Sequence, residues 1–166
     1  MEKVILVDEN DKQIGTEEKL KAHTDAKLHR AFSVYIFNSK GELLIQKRAK
    51  TKYHSPGLWA NTCCSHPKPG EKTEEAAHRR LKEEMGFDAD LKEIMRFVYN
   101  VRFDNGLTEN EYLHVFAGKS DAMPLINLNE AEEWKLVSIK DLKKDMKENP
   151  KKYAYWFRIT IEKLKI

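Results

Sequence analysis

One segment limits the fold more than any other: residues 73–85, a helix-patterned stretch set between two runs of strand signals. Ala77, Leu81 and Met85 recur every four residues, so they share one helix face. Glu74 and Glu75 stand in the first turn, where carboxylates favour the positive end of the helix dipole. Thr73 is placed to cap this helix and Gly86 to end it. Before it, residues 4–7 read as a strand, and residues 32–37 and 42–48 as a hairpin around Asn38-Ser-Lys-Gly41. After it, residues 91–103 and 109–118 form a second hairpin, because Asp104-Asn-Gly106 is a strong turn signal. A short strand follows at 133–137. Ser138 then caps a polar helix to about Lys147, and Pro150 separates it from a last helix carrying Tyr153, Trp156, Phe157 and Ile161. Strands on both sides of one central helix predict layered α+β architecture rather than a βαβ array.

A chain of 166 residues has room for one core, so residues 1–166 are expected to form a single domain. No apolar run approaches the ~20 residues needed to span a bilayer. The apolar stretch Val4-Ile-Leu-Val7 is too short for a secretory signal and lacks a cleavage pattern, which predicts a cytoplasmic protein. The net charge is only +3, and the lysines are scattered without a basic–aromatic stripe, so no nucleic-acid partner is expected. The only two cysteines, Cys63 and Cys64, are adjacent. A disulfide between them would be strained and would close no useful loop, which leaves a thiol role or a buried filler.

Three clusters could carry chemistry. In Glu109-Asn-Glu111 the two glutamates are i and i+2 on a strand, so both carboxylates point to one face. Close like charges raise the pKa of one of them unless a cation neutralises them. The ordinary reading of such a pair is a solvated strand face. Here it lies in an otherwise apolar hairpin, and His23, His29 and His66 are available elsewhere; histidine plus carboxylate suits zinc, manganese or magnesium-like ions. The third cluster is the helix itself, Arg79-Arg-Leu-Lys-Glu-Glu-Met-Gly86. Arg80 and Glu84 stand four apart and could simply pair on its surface.

From Ser65 to Phe87 the chain reads Ser65-x5-Glu71-x7-Arg79-Arg80-Leu81-x-Glu83-Glu84-Met85-Gly86-Phe87. This is similar to the Nudix box, with Ser65 in place of the usual glycine and Arg80 where Nudix hydrolases have a metal-binding glutamate. Arginine cannot bind a cation but can grip a phosphate bidentately. Added to His23-Thr-Asp-Ala-Lys-Leu-His29, Pro56-Gly-Leu-Trp-Ala-Asn-Thr-Cys-Cys-Ser-His-Pro67 and Thr108-Glu-Asn-Glu111, the pattern resembles the type I isopentenyl-diphosphate isomerases. The resemblance runs from about Lys19 to Trp156.

It implies a Nudix-like α/β/α sandwich, with mixed and antiparallel strands around a central catalytic helix. It implies isomerisation of isopentenyl diphosphate to dimethylallyl diphosphate, a small prenyl diphosphate substrate. The implied metal ligands are His23, His29, His66, Glu109 and Glu111 for Mn, Zn or Mg, with Glu84 helping to hold Mg on the substrate diphosphate. The implied catalytic residues are Cys64, Glu111 and Tyr99. Lys19, Arg48, Lys52 and Arg80 would grip the diphosphate, and Trp156 would cover the hydrocarbon. His54, His78 and His114 are not expected to be ligands; His114, three residues beyond Glu111, faces the other side of the strand. Cys63, Trp59 and Trp134 are expected to be packing residues. The rival reading is a Nudix hydrolase of a nucleoside diphosphate derivative, against which Arg80 and the His/Cys set argue.

Overall fold

A computed structural model describes residues 1–164. In chain order the elements are β1 (Lys3–Val7), β2 (Gln13–Glu18), α1 (Lys19–Thr24), β3 (His29–Phe37), β4 (Leu43–Arg48), β5 (Trp59–Ala60), β6 (Cys63–Ser65) and α2 (Thr73–Met85). They continue with β7 (Lys92–Arg102), β8 (Thr108–Lys119), β9 (Ala131–Val137), α3 (Ile139–Glu148), a 3-10 turn at Pro150–Lys152, and α4 (Tyr155–Lys163). No helix among the described residues is long and apolar enough to cross a membrane.

Strand β3 is the hub. It pairs antiparallel with β1, β4 and β6 and parallel with β8, while β7 continues the sheet beyond β8 and β9 pairs with β4. Every residue of β3 from Ala31 to Ile36 is buried, as a strand covered on both faces requires. Alternation sends Phe32, Val34 and Ile36 to one side, against Ala77, Leu81 and Met85 of α2. Ala31 and Tyr35 go to the other side, against Leu142 of α3 and Phe157 and Ile161 of α4. The result is the expected mixed-strand α/β/α sandwich.

Gly86 ends α2 in the left-handed region at φ 75°, and a Cβ there would lie 2.8 Å from the Leu125 Cβ. Two expectations are corrected. Thr73 does not cap α2: Lys72 is the N-cap and makes no side-chain cap bond, so Glu74 and Glu75 are left to favour that end of the dipole. Tyr153 lies before α4 rather than on it, where it bridges to Trp59. Ser138 does cap α3, accepting from the Asp141 N–H.

Candidate active site

The site is built on the β6–β3–β8–β7 part of the sheet, on the face that α4 covers. Ser33 lies beside Cys64 on one edge of β3 and beside Val115 of β8 on the other. Farther along the same parallel ladder His29 lies beside Glu111, and across β8 Tyr99 lies opposite Glu111. Sheet register alone therefore brings His29, Glu111 and Tyr99 into one row. His66 follows directly after β6, and His23 is supplied by the short helix α1, which packs over β8.

The ligand nitrogens and carboxylate oxygen of His23, His29, His66 and Glu111 all lie within 4.8 Å of one another, and all four residues are buried. Nε2 of His66, His29 and His23 stand 3.2, 3.5 and 4.0 Å from Glu111 Oε1. A tetrahedral ion held at about 2.0–2.1 Å needs ligand atoms about 3.4 Å apart, so the spacing suits one ion. His23 Nδ1 sits 2.7 Å from the Lys19 carbonyl and His29 Nδ1 2.8 Å from the Lys27 carbonyl. A proton on each Nδ1 leaves each Nε2 as a lone-pair donor. Both Nε2 atoms are buried and make no hydrogen bond, as atoms awaiting an ion would. Burial pushes His23 below the usual imidazole range and His66 down to about 4, so neither competes with a cation by protonating.

The two strand glutamates are not equivalent. Burial alone would raise Glu111, but the imidazoles of His29 and His66 beside it, the second hydrogen-bonded at 3.2 Å, hold its carboxyl well below the usual range. Glu109 is raised by burial and then by the charge of Glu111. Tyr99 donates toward both, at 2.7 Å to Glu111 Oε2. Glu109 Oε1 faces His54 Nδ1 at 3.1 Å, so Glu109 stands beside the four-residue group rather than within it.

Lys19, Arg48, Lys52 and Arg80 line one cleft together with Cys64, Tyr99, Glu109, Glu111, His66 and Trp156. Arg48 places its guanidinium 5.0 Å over the Trp156 ring and Nη1 4.0 Å from Cys64 Sγ. Burial pushes the Cys64 thiol up to about 12, with Arg48 pulling against it, so the group carries its proton. Its neighbour Cys63 points to the opposite face of β6 and is wholly buried beside α2, the filler role expected of it. Trp156 is fixed from behind, with Nε1 donating 3.0 Å to Asn61 Oδ1. Trp59 and Trp134 pack into the two cores.

Glu84 is placed differently from the rest. It is 3% exposed, accepts from Gln46 Nε2 at 3.3 Å and lies 3.4 Å from Arg80 Nη2 behind the cleft wall. Burial pushes it up to about 7 against the pull of Arg80. Arg80 therefore does pair with Glu84, yet Arg80 lines the cleft and Glu84 is buried behind it, so the pair does not decorate a helix surface. His78 pairs with Asp88 away from the site, and His114 sits between Asp11 and Glu93 on the other face, as the strand periodicity required.

Among the cleft-lining residues, His54, expected only not to be a ligand, and Glu130 were not expected in the site. His54 stacks on Phe103 at 5.9 Å and stands edge-on to Trp156, also at 5.9 Å. Glu130 lies against Lys52 and Arg80. An isolated histidine and one glutamate in a polar loop carry no periodic signal by which to find them.

The NUDIX domain family model matches residues 27–157. Over 163 residues the chain is 50% identical to Isopentenyl-diphosphate Delta-isomerase 1 of Aromatoleum aromaticum, covering 98% of this chain and 92% of that protein. It is 49% identical over 161 residues to Isopentenyl-diphosphate Delta-isomerase of Pectobacterium atrosepticum, covering 97% and 90%. Among solved structures, one from Deinococcus radiodurans superposes with a TM-score of 0.83 at 19% identity, covering 99% of this chain and all of that one. A MutT protein from Methanosarcina mazei gives 0.67 at 21% identity, covering 82% and 91%. These two likenesses concern the fold alone, whereas the sequence relatives share nearly the whole chain. The chain belongs to the NUDIX domain family and, within it, to the isopentenyl-diphosphate Delta-isomerases.

Proposed function

We propose that residues 1–166 act as one cytoplasmic catalytic unit that interconverts isopentenyl and dimethylallyl diphosphate, with Cys64 and Glu111 as the proton-carrying groups. The observation that carries this reading is their placement: Cys64 on β6 and Glu111 on β8 approach one cleft from strands on opposite edges of β3. Moving a double bond in an unactivated alkene means protonating one carbon and removing a proton from another. A donor and an acceptor on two sides of the allylic unit meet that need.

The diphosphate would be held by Lys19, Arg48, Lys52 and Arg80, so that binding it positions the reacting carbons. A carbocation must be kept from water, and Trp156 closes the hydrocarbon end with a π face worth about 2 kcal/mol toward a desolvated cation. Tyr99 orients Glu111 through its 2.7 Å hydrogen bond. A divalent ion, Mn, Zn or Mg, would be held by His23, His29, His66 and Glu111 with Glu109 at its margin, and would supply fixed positive charge beside Glu111. Glu84, 3.4 Å from Arg80 Nη2, would help hold Mg on the diphosphate.

Conversion of isotope-labelled isopentenyl diphosphate, run beside phosphate release from a panel of nucleoside diphosphate derivatives, tests the reading. Isomerisation without hydrolysis is expected; hydrolysis without isomerisation would overturn it.

A further inference from the structure

We propose that Glu130 is a positioning residue for diphosphate binding, holding the Lys52 ammonium and the Arg80 guanidinium in one shared arrangement before substrate arrives. This rests on the prenyl-diphosphate reading of the cleft and adds a residue that lies outside the helix box and touches no reacting carbon.

Glu130 Oε2 stands 2.6 Å from Lys52 Nζ, and Oε1 stands 3.3 Å from Arg80 Nη2. One carboxylate therefore spans a lysine from the turn after β4 and an arginine from α2, two segments that are distant in sequence. Its own backbone is pinned on both sides. The Ala49 N–H donates to the Glu130 carbonyl at 3.0 Å, the Glu130 N–H to Asn127 at 2.9 Å, and the Asn127 N–H to the Glu84 carbonyl at 3.0 Å. The side chain is 20% exposed. Burial would raise its pKa, but Lys52 and Arg80 hold it lowered, so it is an anion at neutral pH.

Neither cation is used up by this contact. An ammonium has three donors, and Glu130 takes one. Arg80 gives Nη1 to Glu83 at 2.7 Å and turns Nη2 toward Glu84 and Glu130, while its buried Nε makes no hydrogen bond. The free donors can meet phosphate oxygens from side chains that are already ordered. A lysine left on its flexible stem would have to be ordered by the substrate itself, which weakens binding.

The test is Glu130→Gln, which keeps the size but puts an amide NH₂ against one of the two cations. The Michaelis constant for isopentenyl diphosphate should rise about ten-fold or more, with kcat within about two-fold. Affinity for inorganic diphosphate with Mg, measured by calorimetry, should fall by a similar factor. Combined with Lys52→Met, the loss should be smaller than the product of the two single losses, because the two residues act through each other. Glu130→Asp keeps the charge but reaches only one cation and should lie between; it carries the test if the glutamine variant does not fold. Tighter diphosphate binding in Glu130→Gln would make Glu130 a competitor of the substrate and overturn the proposal. Unchanged binding with only a lower thermal midpoint would reduce it to a brace. Diphosphate binding needs no turnover, so an inactive protein that still shows the loss would defeat the isomerase reading and leave this one standing.

Discussion

Glu111 lies directly beside His29 in the parallel β3–β8 ladder, with its Oε1 3.5 Å from the His29 Nε2. Side chains on a strand alternate, so sliding β8 by one residue would turn Glu109 and Glu111 to the opposite face and dismantle the cluster. The apolar residues of β8 resist that slip: Leu113 and Val115 fill the same core face as Glu111, while Phe116 fills the other. The packing that stabilises the sheet also sets the geometry of the metal ligands.

Removal of the metal should destabilise the protein as well as silence it. Three buried imidazoles and a carboxylate then face one another without a cation. Treatment with a strong chelator should lower the thermal midpoint, and Zn or Mn should restore it. An ion present at a thousand times its dissociation constant adds about 4 kcal/mol to the folded state. His66→Asn should lower bound metal and isomerisation together. Full metal occupancy in that variant, by elemental analysis, would remove His66 from the site.

The two thiols should separate cleanly. Cys64→Ala should abolish detectable isomerisation with the fold intact, because Cys64 lines the cleft. Cys63→Ala should keep most of the activity and lose about 1 kcal/mol of stability, since it removes one buried atom from the α2 side of the core. The reverse pattern in paired activity and melting measurements would place the reactive thiol one residue earlier.

Asn61→Ala should act through Trp156. It leaves a buried indole N–H without its 3.0 Å acceptor, a loss of about 1–3 kcal/mol in stability. It should also lower kcat, because the ring that covers the hydrocarbon is no longer held. Asn61→Asp keeps an acceptor oxygen but sets a carboxylate against the Val34 and Cys63 carbonyls to which the amide donates, so it should recover little. An unchanged kcat in Asn61→Ala would show that the hydrogen bond is not what positions the ring.

Glu84 sets a pH dependence. Its carboxyl is near 7 when folded and near 4.5 in an unfolded chain, so the folded state binds the extra proton. The stability this contributes is complete below about pH 4.5 and is lost as pH rises toward 7. Chemical denaturation of the metal-free protein across that window should show the decline, and Glu84→Gln should flatten it. An unchanged slope in the glutamine variant would assign the decline to other groups.

Much of this was legible before the structure, for reasons that can be traced to particular residues. Asp104-Asn-Gly106 announces its hairpin, and once the hairpin is placed, Glu109 and Glu111 must share a face. Other elements carry little local signal. Helix α1 has six residues and no side-chain cap, yet it supplies His23. Strand β2 is polar and lies at the sheet edge, while β5 and β6 have two and three residues and exist only by pairing with β4 and β3. His54 and Glu130 join the site through folding alone, since each is brought there by a turn whose position depends on the sheet beneath it.

Arg80 offers the sharpest separation of phosphate binding from mere helix pairing. It stands where the resemblance to the Nudix box leads one to expect a metal-binding glutamate, and it lines the cleft at 18% side-chain exposure. Losing a charged hydrogen-bond partner to a desolvated diphosphate should cost about 2–4 kcal/mol in transition-state binding, roughly 30- to 1000-fold in kcat/KM. An exposed ion pair would give less than about 1 kcal/mol, seen only as stability. Because the guanidinium fork is planar, Arg80→Lys should recover only part of the loss. Arg80→Ala also strips Glu84 of its cation, so its carboxyl should rise further and extend the pH-dependent decline above 7. Catalytic efficiency and thermal midpoints of the alanine, lysine and glutamate variants would be measured together. Near-normal efficiency with a lowered midpoint in Arg80→Ala would leave helix pairing as the better account. Arg80→Glu should be inactive rather than hydrolytic, because Cys64 and the three-histidine cluster separate this site from a hydrolase as much as one helix position does.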